Sequence, residues 1–179
     1  MRCFLAIELP ESARGTLAGL QVLIGNEYAK IRWVAPKNIH LTLKFLGELD
    51  ELEIKLMKDA LKLVSYKSFN CRLGKLGWFP HDESINVLWV GLEPEREILK
   101  LHGDIELALG SLFEKDKLFS VHVTLGRVKF VKQKVHFLKL LRGINVPECV
   151  FPVVSFALIK SDLTKDGPRY TVLERYAFL

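Results

Sequence analysis

The tetrapeptide His40-Leu41-Thr42-Leu43 returns 82 residues later as His122-Val123-Thr124-Leu125, and none of the other three histidines is followed two residues on by threonine. On an extended strand successive side chains point to opposite faces. Each histidine therefore shares a face with its threonine, while the aliphatic residues take the other. The chain holds five His and five Thr, from which chance supplies roughly 0.14 His-x-Thr spacings. Two copies point to a repeated functional strand rather than to a wet face that happens to carry both residue types.

The same shift lays larger blocks over one another: residues 4–9 fall on 86–91, the helical pattern after Pro10 on that after Leu92, and Asp50 onward on Lys132 onward. The pattern predicts β-α-β-α-β twice, as approximate repeats 1–77 and 83–159, with a closing hairpin strand at 170–178. Strands are expected at 2–9, 40–46, 69–76, 85–92, 119–130, 150–159 and 170–178. Helices are expected at 11–24, 51–64, 95–112 and 132–140, the second capped by Asp50 with Leu52, Leu56, Ala60, Leu61 and Val64 on one face. Turns are read at Pro80-His81-Asp82-Glu83 and Asp166-Gly167-Pro168. Halves related by a pseudo-twofold bring His40 and His122 to mirrored central strands, with a cleft between them.

A chain of 179 residues suits one compact unit, here a single domain (1–179) of two intertwined lobes. No apolar run approaches the roughly 18 residues needed to cross a membrane, and the Met1-Arg2 start leads into a strand rather than a secretory leader. A cytoplasmic monomer with no membrane partner is expected. Cys3, Cys71 and Cys149 lack C-x-x-C spacing, which argues against a disulfide framework or zinc knuckle. A net charge of +5 favours a polyanionic partner.

Imidazole gives or takes a proton near neutrality, so two of them flanking one substrate can divide acid and base work. Thr42 and Thr124 hydroxyls beside them can donate to anionic oxygens. That set suits in-line displacement at phosphorus. Strict alternation turns Arg127 away from His122, but Gly126 precedes it, and a glycine inside a strand often marks a bulge that re-aims the next side chain. Arg127 then either forks onto phosphate oxygens or balances surface carboxylates. The equivalent Phe45 either packs in the core, as strand aromatics favour, or offers a ring face to a base. His81, His102 and His136 read as surface or internally satisfied residues. Trp33 and Trp78 read as packing anchors or stacking faces. There is no H-E-x-x-H, Cys/His set, G-x-x-x-x-G-K-[ST] loop or nucleophile elbow, so a catalytic metal, nucleoside triphosphate hydrolysis and acyl transfer have no candidate.

Several words occur in order along nearly the whole chain: Arg2-Cys3-Phe4-Leu5-Ala6-Ile7-Glu8-Leu9-Pro10, Arg32-Trp33-Val34, residues 38–47 around the first histidine, Val87-Leu88-Trp89-Val90-Gly91, residues 122–128, and Leu163-Thr164 with Gly167-Pro168-Arg169-Tyr170. Together they resemble the two-histidine (2H) phosphoesterase superfamily, within it the RNA 2',3'-cyclic phosphodiesterases, also called 2'-5' RNA ligases. The resemblance implies an α+β fold of two lobes, with antiparallel sheets lining a central cleft, helices outside, and no metal or cofactor. It implies His40 as general acid and His122 as general base, with Thr42, Thr124 and Arg127 on the phosphate; Phe45, by its ring face, is a further candidate substrate contact. The implied partner is an RNA end bearing a 2',3'-cyclic phosphate, hydrolysed to a 2'-phosphomonoester, with tRNA halves joined reversibly through a 2'-5' bond as a related reaction. The chain departs at Val121, where the family often has proline. Alternatives are the same site acting on small cyclic nucleotides or 2'-5' oligonucleotides, and a non-catalytic module that grips RNA ends.

Overall fold

The computed structural model describes every residue except Ser111 and Asp166. Its helices are α1 (Glu11–Ile24), α2 (Glu51–Leu61), α3 (Glu95–Leu109) and α4 (Lys134–Gly143). Its strands are β1 (Arg2–Glu8), β2 (Ala29–Trp33), β3 (His40–Glu48), β4 (Phe69–His81), β5 (Ser84–Glu93), β6 (His122–Val131), β7 (Val150–Val153), β8 (Ser155–Thr164) and β9 (Gly167–Ala177).

Each helix supplies a narrow apolar stripe. In α1 it is Ala13, Leu17, Leu20 and Ile24, and in α3 it is Ile98, Leu101, Ile105 and Leu109. These stripes cover one face of the strands, where Leu5, Ile7, Leu41, Leu43, Leu88, Val90, Val123, Leu125 and Leu158 form the main core with them. Asp50 starts α2 as expected, in a reciprocal capping box with Glu53. The buried face of α2 is different: Ile54, Met57 and Leu61 face inward, while Leu52 and Leu56 are exposed and the helix ends before Val64.

The strands join in the order β7-β4-β5-β6-β3-β1-β8-β9, with β2 added on β6, and every pairing is antiparallel. The order is symmetrical about the β3–β6 seam, where one ladder pair, Leu41 with Val123, joins the halves. The fold is α+β, a curled antiparallel half-barrel. The curl is visible in the chain itself. The run expected as one strand at 150–159 breaks at Val154 into β7, paired with β4, and β8, paired with β1. Consecutive strands thus serve opposite ends of the strand order. The β8–β9 hairpin forms as expected, with Asp166 of its turn outside the described residues. Strand β2 was not expected as an element, and β4 runs on to His81 through the residues read as a turn.

A β-bulge follows each His-x-Thr motif, apart from further register shifts at Leu46 of β3 and Lys129 of β6. On β1, Leu5 pairs with Lys44 and Ala6 with Thr42, leaving Leu43 unpaired as an extra residue. On β5, Leu88 pairs with Gly126 and Trp89 with Thr124, leaving Leu125 unpaired. Each bulge puts two successive residues on the core side, so alternation resumes one residue out of step. The freed Leu125 carbonyl is satisfied by the Val34 amide at 2.9 Å and by the buried Gln21 side chain of α1, whose Nε2 donates at 2.9 Å. Gly126 then faces Trp33 and Ile31 of β2. A Cβ there would lie 2.7 Å from Trp33 Cε3 and 2.8 Å from Ile31 Cγ2, so only glycine lets β2 close on the bulge. Gly126→Ala is expected to destabilise the fold by about 1–3 kcal/mol through overpacking, measured as a lowered midpoint in chemical denaturation.

Candidate active site

His40 and Thr42 project from β3 on the face opposite the core, and His122 and Thr124 project likewise from β6; all four are half-buried. The seam pair Leu41–Val123 lies between them in sequence on both strands. Antiparallel continuation of that pair sets Thr42 on the side of His122 and His40 on the side of Thr124. The two histidines occupy a diagonal, which on a regular ladder spans roughly 7–8 Å.

The rings are held in the same way. His40 donates from Nδ1 to the Asn38 carbonyl at 2.7 Å, and His122 from Nδ1 to the Ser120 carbonyl at 2.9 Å. A carbonyl only accepts, so the proton sits on Nδ1 and Nε2 is left to do chemistry in both. His40 Nε2 lies 3.0 Å from Thr42 Oγ1. Burial pushes the His40 imidazole below its ordinary range, opposed by the hydrogen bond to Asn38 and by the Glu8 carboxylate. Glu8 is the β1 partner of His40 and is also held by Arg175 at 2.8 Å.

The out-of-step alternation beyond each bulge decides the next residues. Arg127 lies on the cleft side and is exposed, as the bulge reading of Gly126 expects. Phe45 lies at the equivalent place and is 70% exposed, which overturns the core reading for its ring. Its bulge carries no glycine signal. The residue turned inward in its stead is Lys44.

Aromatic rings flank both histidines, and the sequence reading did not place these among the site residues. Phe4 lies 4.9 Å from the His40 ring, and Tyr170 of β9 meets that ring edge-on at 5.4 Å. Burial raises the Tyr170 phenol, with the Arg127 and Arg2 guanidiniums opposing it. On the other side Phe79 meets His122 edge-on at 5.2 Å and stacks on Trp89 at 5.0 Å. Trp89 lies across Gly77, where a Cβ would fall 2.3 Å from its ring. Trp33 packs over Gly126, and Trp78 Nε1 donates to Asp82 Oδ1 at 2.9 Å, so both are packing anchors.

Behind the site, Lys44 Nζ is buried 2.6 Å from Glu106 Oε1, 3.2 Å from Asp116 Oδ1 and 2.9 Å from the Glu114 carbonyl. His102 joins the cluster 3.3 Å from Asp116 Oδ2, with Phe119 stacked on its ring at 3.9 Å. His102, Glu106 and Asp116 are spaced as metal ligands could be, but the ammonium already lies among them as their cation. The cluster ties β3 to the segment that leads through Ser120 to His122.

Fold and site together define a two-histidine phosphoesterase. The LigT-like phosphoesterase family model matches residues 7–89, a stretch that includes the first His-x-Thr strand. An RNA 2',3'-cyclic phosphodiesterase of Methanocaldococcus jannaschii is 32% identical, covering 98% of this chain and 100% of that protein. The Thermotoga maritima enzyme of the same name is 32% identical over 99% of this chain and 96% of its own length. Among solved structures, a Thermus thermophilus protein superposes with a TM-score of 0.81 at 31% identity, covering 99% of this chain and 97% of that one. Escherichia coli LigT complexed with 3'-AMP does so with a TM-score of 0.78 at 26% identity, covering 99% and 97%. The chain belongs to the LigT-like phosphoesterase family.

Removing Lys44 leaves the buried Glu106 carboxylate without its ammonium partner. Lys44→Met is expected to cost about 3–5 kcal/mol at neutral pH, read from the free energy of unfolding in urea.

Proposed function

We propose that this protein hydrolyses RNA ends bearing a 2',3'-cyclic phosphate to 2'-phosphomonoesters by general acid and base catalysis from His40 and His122. The observation that carries the reading is the matched pair of imidazoles, each with Nδ1 donating to a backbone carbonyl, which leaves Nε2 as the reacting nitrogen, beside Thr42 Oγ1 in the case of His40. The shared activity of the near-full-length relatives supports the substrate class.

In the proposed step His122 Nε2 takes a proton from water, whose oxygen bonds to phosphorus. The bond from phosphorus to the 3' oxygen breaks, and His40 delivers its proton to that leaving oxygen. Thr42, Thr124 and Arg127 hold the remaining oxygens, whose charge grows in the transition state. The two imidazoles supply the proton transfers, so the reaction is proposed to need no metal. The halves 1–77 and 83–159 are proposed as copies of one unit that each lend half a site. The half-buried rings of Tyr170 beside His40 and Phe79 beside His122 also favour a second reading, reversible 2'-5' joining of two RNA ends, since each side offers a ring to a nucleotide.

An oligonucleotide ending in a 2',3'-cyclic phosphate, incubated with EDTA-treated protein, is expected to yield a 2'-phosphate. His40→Ala and His122→Ala are each expected to lower kcat by at least about 100-fold with the fold retained by circular dichroism. Loss of wild-type activity on chelation, or a 3'-phosphate product, overturns the mechanism.

As acid, His40 must arrive protonated. Burial works against this in the free protein, the Glu8 carboxylate works for it, and a seated phosphate anion adds to the favourable side. Accordingly kcat/KM is expected to fall as pH rises through a value below the ordinary 6.5 of imidazole. Glu8→Gln removes a raising influence and is expected to move this alkaline limb to still lower pH. A limb that stays put or moves upward in the Glu8→Gln profile removes His40 from the acid role.

A further inference from the structure

Strand β2 places Arg32 directly opposite Arg127 on β6, and Lys30 opposite Phe130. Directly paired residues share a face of the sheet, so Arg32 lies on the cleft side with Arg127, with Cβ atoms roughly 5 Å apart. All four of these residues are exposed. Among the described residues neither Arg32 nor Arg127 has a carboxylate within 4.0 Å. Like charges set opposite one another on a ladder repel. Two such guanidiniums, left without an acid and held in place by the Gly126 close approach, form a seat for an anion.

One guanidinium suffices for the phosphate between the histidines. We propose that Arg32 holds a second phosphate, the phosphodiester on the 5' side of the terminal nucleotide, and that β2 is the strand by which the protein prefers an RNA chain to a free nucleotide. Lys30 and the Phe130 ring extend the same track away from Thr124, offering a further charge and a stacking face. The inference rests on the phosphodiesterase reading above and adds to it the direction in which the RNA leaves the site. Both strands carry this assignment. Arg127 is aimed by the bulge in β6, and Arg32 is aimed by its register with Arg127.

The test compares kcat/KM on a dinucleotide ending in a 2',3'-cyclic phosphate with that on the nucleoside 2',3'-cyclic phosphate alone, which lacks the second phosphate. The wild type is expected to prefer the dinucleotide by at least about tenfold. Arg32→Gln is expected to remove most of that preference and to reduce the slope of log kcat/KM against log salt on the dinucleotide by about 0.7, the loss of one phosphate contact on a single strand. Arg32→Lys keeps the charge and is expected to restore the preference in part, which a role in folding would not reproduce. Arg127→Gln is expected to lower kcat/KM on both substrates. If Arg32→Gln lowers both substrates by the same factor, or leaves the ratio unchanged, the second-phosphate assignment falls while the phosphodiesterase reading stands. If the wild type turns over neither substrate, the phosphodiesterase reading falls and takes this inference with it.

Discussion

The extra residue that follows each His-x-Thr motif, on two neighbouring strands, governs what the cleft can contain. Leu43 and Leu125 sit outside the ladder with β1 and β5, and each forces its strand to place two successive residues on the core side. Before the bulge, His-x-Thr alternation faces the cleft; after it, the residue that regular alternation would bury is exposed there instead. Without the bulges Arg127 and Phe45 would compete for core volume, and Lys44 would stand in the cleft beside Thr42. The bulges are held by internal contacts. The Leu125 carbonyl, which has no partner on β5, is taken up by a helix side chain and by the backbone beyond β2, so that acceptor is paired.

The two halves solve the same geometric problem with different chemistry. At the inward position after the bulge, one half has glycine and lets β2 lie against it; the other has lysine and surrounds its ammonium with carboxylates and a carbonyl. At the outward position one half has a guanidinium and the other a phenyl ring. A near-symmetrical frame thereby carries aromatic rings beside both histidines but a guanidinium on one side only. The histidines follow the same pattern: their Nδ1 contacts match, but His40 has an acidic cross-strand neighbour in Glu8, whereas the residue paired with His122 is Gly91.

Much of this could be read from the residues, and the failures have physical reasons. The His-x-Thr strands, the Asp50 cap and the bulge before Arg127 each leave a local mark: a period of two, a capping pair, a glycine within a strand. The bulge at Leu43 leaves none, because lysine occupies the place of the glycine, so Phe45 read as core. In α2 two apolar stripes overlap, and only packing against the rest of the chain selects Ile54, Met57 and Leu61. Strand β2 is five residues long with just Ala29 and Ile31 buried, too short for periodicity to reveal. The break at Val154 lies inside an unbroken apolar run and is imposed by the curl of the sheet. The flanking Phe4, Tyr170, Phe79 and Trp89 come together only through strand pairing across long stretches of chain.

Asn38 gives the carbonyl that orients His40, and its own side-chain amide donates to the Pro168 carbonyl at 2.9 Å, 130 residues away at the start of β9. The opposite anchor, at Ser120, lies on the segment moored by Lys44 from β3. Neither imidazole is therefore aimed by its own neighbourhood alone. The C-terminal hairpin acts as a stay line for one ring and the first half's central strand as a stay line for the other. Slack in either line would turn a ring away from the substrate while every reacting group remained present.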